Sequence, residues 1–406
     1  MTLPTAACWV CEGAIMTIEG RKETLSGRIP LGMVGGGADA FIGGVHRIAA
    51  RIDDRFSLVA GALSSTPEKA RASGAALGLD PARTYGSFAE MAAAEAARPD
   101  GIRAVSIVTP NHMHYPAAKA FLERGIHVIC DKPLTATMED AAALEAAVRA
   151  SGALFILTHN YTGYPMVRQA RAMIAAGQIG KIRVVQVEYP QGWMTESVEA
   201  DGTNKQAVWR TDPARSGAGG ATGDIGTHAY NLACFVTGLA AQELAADLQS
   251  FGPGRQLDDN GHVMLRFAEG ARGMLWCSQV APGHENGLRL RVYGEKGGLE
   301  WSQEEPNVLW FTPQGQPKQQ IQRGGAGIWP EAAAVSRIPS GHPEGYLEAF
   351  ATLYASAADA IRAVEGGNAR EDAMGLLPGI ADGMAGMNFV RACVESSRGN
   401  AAWVRL

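Results

Sequence analysis

Short β-branched runs alternate with alanine-rich stretches from Ile29 to Leu157. Ile29 to Val34, Phe56 to Leu63, Ala104 to Val108, Ile126 to Cys130 and Ala153 to Leu157 read as strands, and residues 39–52, 66–77, 87–97, 114–124 and 137–150 as helices. The strand runs are apolar throughout rather than alternating, as suits a sheet covered on both faces. Repeated β-α units with short connections predict a parallel, doubly wound sheet with right-handed crossovers. Thr137 with Asp140 reads as a capping pair at a helix start, and Gly152 as its terminator.

After Thr158 the rhythm changes. A helix over 164–176 leads into a strand from Lys181 to Tyr189, a polar, glycine-rich and aromatic stretch covers 191–222, and a helix comes next over 224–237. Between about 242 and 322 come strand-like runs, including His262 to Phe267, Gly273 to Gln279 and Leu288 to Tyr293, parted by turn residues such as Glu269-Gly270 and Lys296-Gly297-Gly298. Residues 343–363 and 370–395 read as closing helices. The fold class expected is α/β: an amino-terminal doubly wound parallel sheet, then an α+β domain with a largely antiparallel open sheet. The expected division is a tail over 1–25, a first domain over 26–157 and a second over 158–406.

Composition narrows the function classes. A chain of 406 residues, 46% apolar, is long enough for two cores. Its 50 glycines exceed the typical share of about 7% and point to tight turns and close backbone approaches. A net charge of −5 leaves no electrostatic footprint for nucleic acid or an anionic membrane. Most of the six cysteines lie in apolar runs. Cys8 and Cys11 have a CxxC spacing without a second pair nearby, so no metal is expected, and the usage suits a reducing cytoplasm. The first residues lack the basic and apolar regions of a signal peptide, and no apolar run is long enough for a membrane span.

Candidate chemistry gathers at the carboxyl ends of the predicted parallel strands, where open α/β sheets bind ligands. The first strand runs into Gly35-Gly36-Gly37. Gly35 and Gly37 suit the first two glycines of a dinucleotide loop, with Phe41 and Ile42 at the next helix start as further cofactor contacts. The third glycine is displaced to Gly43 or Gly44, so GxGxxG is not matched. The second strand ends at Ser64-Ser65 with no acid for a ribose diol. These hydroxyls, with Lys69 and Arg71 soon after them, suit a diol or a 2′-phosphate, so NAD is expected and NADP stays open. Thr109, Asn111 and His114 come after the third strand. Asp131 and Lys132 leave the fourth, and Pro133 ends its ladder.

The glycine loop, TPNxxH at 109–114, DKP at 131–133 and GDIGTH at 223–228 together resemble the Gfo/Idh/MocA oxidoreductases, over about residues 28–395. The resemblance implies an amino-terminal Rossmann domain binding NAD(P) and a carboxyl-terminal α/β domain whose open sheet makes a homo-oligomer interface, dimer or tetramer. It also implies a catalytic set of Lys132, Asp224 and His228 around a sugar or cyclitol hydroxyl. The family usually has Glu where this chain has Asp131.

The residues support that chemistry independently. Oxidising a secondary alcohol requires hydride loss to nicotinamide and proton loss from oxygen. His228 is the natural base, with its ordinary pKa near neutrality. Asp224, four residues earlier, would share its helical face, and Lys132 would stabilise developing alkoxide. The reverse proton route, through Lys132, stays open. Asn160 joins the cofactor candidates. Tyr161, Tyr164, Trp193 and Trp209 offer flat faces for a sugar ring, Arg210 and Asp212 add polar contacts, and His284 and His342 form a second tier. The leading reading is an NAD(P)-dependent dehydrogenase of a pyranose sugar, glycoside or inositol. The competing readings are a reductase of a non-sugar substrate and a catalytically silent dinucleotide-binding regulator, which need not keep Lys132, Asp224 and His228 together.

Overall fold

The computed structural model describes residues 27–38, 40–200 and 202–406. The predicted tail, with Cys8 and Cys11, and Asp39 lie outside these. Strands β1 (Ile29–Gly35), β2 (Phe56–Ala62), β3 (Ala104–Val108), β4 (His127–Cys130) and β5 (Phe155–Leu157) form a parallel sheet in the order β2-β1-β3-β4-β5. Helices α1 (Phe41–Ile52), α2 (Pro67–Ala76), α3 (Phe88–Ala96), α4 (His114–Leu122) and α5 (Met138–Ala150) alternate with them. Ile29, Leu31, Ile107, Val128 and Ile129 are essentially inaccessible, which is why these strands read as unbroken apolar runs. Thr137 caps α5 as expected, its hydroxyl accepting from the Asp140 N–H at 3.1 Å.

The second half begins with α6 (Pro165–Ala175) and β6 (Ile182–Pro190). Helices α7 (Lys205–Arg210) and α8 (Pro213–Ser216) lie within the polar stretch, and a π-helical turn at Thr222–Gly226 leads directly into α9 (Thr227–Thr237). Then come β7 (Ala241–Gln249), β8 (Asn260–Phe267), β9 (Arg272–Ser278), β10 (Arg289–Gly294), β11 (Gly297–Ser302), β12 (Val308–Pro313) and β13 (Gln319–Gln322). The chain closes with α10 (Pro330–Ala333), α11 (Tyr346–Glu365), α12 (Arg370–Met374), α13 (Ile380–Arg398) and β14 (Val404–Arg405). The sheet order is β13-β12-β11-β10-β6-β9-β8-β7-β14, antiparallel except where β6 runs parallel to β9. One face buries Val185, Val187, Val263, Leu265, Leu275 and Leu290 beneath helices that include α6, α9 and α13. The other keeps Val184, Met264, Met274 and Tyr293 exposed, with Met264 directly opposite Met274 in the ladder.

Two features differ from the sequence expectation. The closing helix over 370–395 is broken: Gly375 takes φ 51°, and α13 restarts after Pro378, whose ring cannot continue a helix. Asp224 and His228 do not share a regular α-helix either, since the π turn carries Asp224 and α9 carries His228. The closing helices also reach back to the first sheet. Phe350, Leu353 and Tyr354 of α11 pack with Val45 and Ala49 of α1 on one face. Met387 of α13 joins Phe121 of α4 and Leu144 of α5 on the other. Among the described residues no helix is long and apolar enough to cross a membrane.

Candidate active site

The turn after β1 is shaped for close approach. Gly35 and Gly36 have φ of 74° and 65°, which disfavour any residue with a Cβ. At Gly37 a Cβ would lie 2.8 Å from Ser73 Oγ and 2.9 Å from the Leu63 carbonyl. Gly43, not Gly44, is the third structural glycine: a Cβ there would collide with the Cα and carbonyl of Gly36, whereas Gly44 faces open space apart from the Arg47 side chain. Arg47, which sequence reasoning missed, donates from Nη1 to the Gly36 carbonyl. Helix α1 starts with no side-chain cap and no acid in its first turn, leaving main-chain N–H groups for an anion.

Along the carboxyl edge of the parallel sheet, several polar atoms are buried without a partner. They include Thr109 Oγ1, Asn160 Nδ2 and His159 Nδ1. Such groups are rare in proteins and ask for a ligand or water. The glycine cradle, the open helix start and these donors and acceptors fit a dinucleotide. At the end of β2, Ser65 and Lys69 are exposed, and Ser64 Oγ accepts from the Thr66 N–H at 3.2 Å. Phe41 is 72% exposed at the head of α1, and Ile42 is half-buried against the core.

Two residues of the TPNxxH stretch are committed within the protein. His114 lies beneath the loop, with Nδ1 2.8 Å from the Pro133 carbonyl and Nε2 2.9 Å from that of Thr109. Burial pushes this imidazole down, against Asp131 and the carbonyls, which pull it up. Asn111 donates from Nδ2 to the Ser216 carbonyl at 2.8 Å, tying the first half to the end of α8.

Lys132 leaves the end of β4 and crosses to the second half. Its Nζ lies 2.7 Å from Asp224 Oδ1 and 2.6 Å from the Asp224 carbonyl. The other carboxylate oxygen accepts from Arg210 Nε at 3.1 Å and Gln279 Nε2 at 3.0 Å. Burial alone would raise the Asp224 carboxyl, but Lys132 and Arg210 outweigh it and hold the group well below the usual carboxylate range. Arg210 also lies over the Trp209 ring, 4.4 Å from its centroid. The π turn is fixed from behind: Asp258 accepts from the N–H groups of Gly220 and Thr222, each at 2.8 Å, and from Thr222 Oγ1 at 2.7 Å.

His228 stands beside this pair with its ring edge-on to Tyr161, centroids 4.8 Å apart, and 5.7 Å from His159. Its Nδ1 is buried without a partner, and no hydrogen bond joins it to Asp224. Burial, then the charge of Lys132, pushes this imidazole well below its ordinary range, and burial takes His159 down to about 3. Both are uncharged at neutral pH. A polar row runs outward from here: the Tyr161 and Tyr189 hydroxyls pair, Tyr189 donates to Asn286 Oδ1 at 2.7 Å, Gln191 donates to the same oxygen at 2.8 Å, and Trp193 Nε1 donates to Gln191 at 3.1 Å.

The other sequence candidates fall outside this constellation. Tyr164 stacks on Tyr161 and is buried. Asp212 caps α8, accepting from the Ala214 N–H. His284 is exposed with its ring edge-on to Trp276, and His342 is exposed, its carbonyl accepting from Arg323. Among the described residues no three His, Cys, Asp or Glu side chains gather as a metal site requires. Tyr189 and Asp258 carried no sequence signal, because their partners are dozens of residues away, and neither did Gln191, whose bond to Asn286 spans 95 positions. Gln279 had one: it ends a predicted strand on an unsolvated polar side chain.

Fold and site define an oxidoreductase with an NAD-binding Rossmann domain. Residues 29–159 match the oxidoreductase family with an NAD-binding Rossmann fold, and residues 167–300 match the Gfo/Idh/MocA carboxyl-terminal domain. The chain belongs to the Gfo/Idh/MocA family. It is 38% identical over 379 residues to the uncharacterized oxidoreductase YfiI of Bacillus subtilis (strain 168), covering 92% of this chain and 95% of that one. A solved oxidoreductase from Sinorhizobium meliloti is 62% identical, with a TM-score of 0.84 over 93% of this chain and 99% of the other. An inositol dehydrogenase homologue from Azotobacter vinelandii, solved with NAD+, is 39% identical with a TM-score of 0.89, covering 94% and 98% of the two chains. The same homologue has been solved with NADH and myo-inositol, at a TM-score of 0.86.

Proposed function

We propose that the chain oxidises a ring hydroxyl of a cyclic polyol, a sugar, glycoside or inositol, to a ketone, working as a homo-oligomer that covers the open sheet face. The observation that carries this reading is the Lys132–Asp224 pair beside uncharged His228 at the carboxyl edge of the dinucleotide sheet. Bound NAD supplies the hydride acceptor. Lys132 commits two of its three ammonium protons to Asp224, and the third is free for the substrate oxygen. There it lowers the energy of developing alkoxide, an effect of about a hundredfold or more in comparable sites. His228, having no hydrogen-bond partner of its own, takes the hydroxyl proton; burial and the charge of Lys132 oppose the imidazolium that forms, and the Asp224 anion offsets part of that cost. The amide and phenol row from Tyr161 to Trp193 offers neutral donors and acceptors to further hydroxyls. The A. vinelandii homologue holding myo-inositol supports a cyclitol among the polyols.

A panel of inositols, pyranoses and glycosides with NAD or NADP tests the reading. Some member should be oxidised, and Lys132→Ala should lower kcat by about a hundredfold or more while NADH affinity stays within about threefold. NADH binding without turnover of any polyol would overturn the dehydrogenase assignment and leave a binding-only role.

A further inference from the structure

Helix α1 carries an imidazole that the proposed proton and hydride chemistry does not use. His46 is fully buried. Its ring lies edge-on to Tyr354, centroids 5.8 Å apart, and 5.0 Å from Phe350, both of α11. Its Nδ1 pairs with the Tyr354 hydroxyl at 2.8 Å, and that hydroxyl also meets the buried Ser106 Oγ of β3. The other nitrogen, Nε2, has no hydrogen-bond partner and lies 3.9 Å from Asp131 Oδ1.

Elementary hydrogen-bond logic gives this row a direction. A neutral imidazole has one donor and one acceptor nitrogen. A lone pair aimed at the Asp131 carboxylate would be repelled, so the proton belongs on Nε2. Nδ1 is then the acceptor, Tyr354 donates to it, and Ser106 donates to Tyr354. The row ends on a carboxylate whose remaining contacts bear on the lysine turn: Asp131 Oδ1 accepts from Thr158 Oγ1 at 2.9 Å and from the Lys132 N–H at 3.0 Å. Burial would raise the Asp131 carboxyl, but His46, Lys132 and His114 around it hold it below the usual range.

We propose that His46 is a positioning residue for Lys132: its Nε2–H faces the Asp131 carboxylate and holds it, and with it the Asp131–Lys132 backbone, in the direction that delivers the ammonium to Asp224. The kinetic consequence rests on the dehydrogenase reading; the tautomer does not. Nitrogen-15 NMR of histidine-labelled wild-type protein, with His46 assigned through its shift in Tyr354→Phe, should show a proton on Nε2 and none on Nδ1. The Nδ1–H tautomer would overturn the proposal. Two substitutions separate the two nitrogens, since a glutamine amide reaches the place of Nε2 and an asparagine amide that of Nδ1. With a polyol found by the panel, His46→Asn should lower kcat about tenfold, with NADH dissociation constant and polyol KM within about twofold, and His46→Gln should recover to within about threefold of wild type. Equal kcat in the two variants, or a parallel loss of kcat and NADH affinity, overturns it. If no polyol is turned over, the dehydrogenase reading fails and the tautomer still decides this one. The tautomer also decides if neither variant folds.

Discussion

Along the carboxyl edge of the parallel sheet, Thr109 Oγ1, Asn160 Nδ2 and His159 Nδ1 are buried with no protein partner, whereas across the cleft Asp224 alone receives three side chains, from Lys132, Arg210 and Gln279. A buried polar group without a partner costs about 1–3 kcal/mol, so the first edge is stabilised when a ligand supplies the missing bonds. The second wall is complete before anything binds. Its dipoles and charges need no rearrangement when charge develops on a substrate oxygen, which is where preorganisation acts. One side of the cleft is thus built to gain from binding, and the other to hold the proposed catalytic groups still. His228 is the exception on the completed wall, its Nδ1 buried without a partner.

Substitutions can break this contrast. The largest effect after Lys132→Ala belongs to Asp224→Asn, which removes the anion from between two cations: kcat should fall about a hundredfold, and urea denaturation should show a loss of about 3 kcal/mol. Unchanged stability would mean that this wall is not held by its ion pairs. Next comes the glycine cradle. Gly43→Ala forces a Cβ into Gly36 and should weaken NADH binding by roughly tenfold to a hundredfold, whereas Gly44→Ala should leave fluorescence titrations with NADH unchanged. On the unpartnered edge, Asn160→Ala removes an amide nitrogen that has no protein bond to lose. NADH affinity should drop about tenfold with the melting temperature unchanged or raised. A fall in melting temperature with affinity intact would show that the edge is structural.

A last effect concerns pH and serves as a control away from the cleft. His127 is buried, and its Nδ1 accepts from the Leu154 N–H at 2.9 Å, so it must stay unprotonated in the fold. Burial, then the charge of Arg103, takes it down to about 4. The unfolded chain therefore binds the proton first, and stability should decline as pH falls from about 6.5 towards about 4, by about 1.4 kcal/mol per pH unit from this group. His159, at about 3, acts in the same direction. Asp224 adds a further loss below about pH 4, because its folded carboxyl is held below the unfolded value. Denaturation curves at successive pH values should show a shallower slope for His127→Gln than for wild type.

Much of this was legible in residues alone. The five parallel strands lie where unbroken apolar runs meet alanine-rich stretches, and Thr137 caps its helix as its spacing with Asp140 implies. The glycine loop and Lys132 could be picked out because each stands at a predicted strand end, whereas Asp224 and His228 were marked by the resemblance of GDIGTH to the family's motif. The choice between Gly43 and Gly44 could not be made, since it depends on which one faces a neighbouring turn. The interruption before α13 was present as Gly375 and Pro378 but was masked by the helical pattern on either side. Asn111 read naturally as a ligand group, and its bond to Ser216 spans 105 positions that no local periodicity connects.

Local physics, the side-chain period of strands and helices and the exclusion of Cβ and N–H groups at glycine and proline, is written in neighbouring residues. It was enough to determine the order of the elements, the two kinds of sheet and the sheet edge where the candidate residues gather. Which side chains meet across that edge was decided by the tertiary structure alone: the crossing of Lys132 to Asp224, the arrival of Gln279 and Arg210 on the same carboxylate, and the burial that leaves His228 uncharged. Charge, desolvation and hydrogen bonding depend on distances through space, and the separations along the chain that produce them carry no periodic signal.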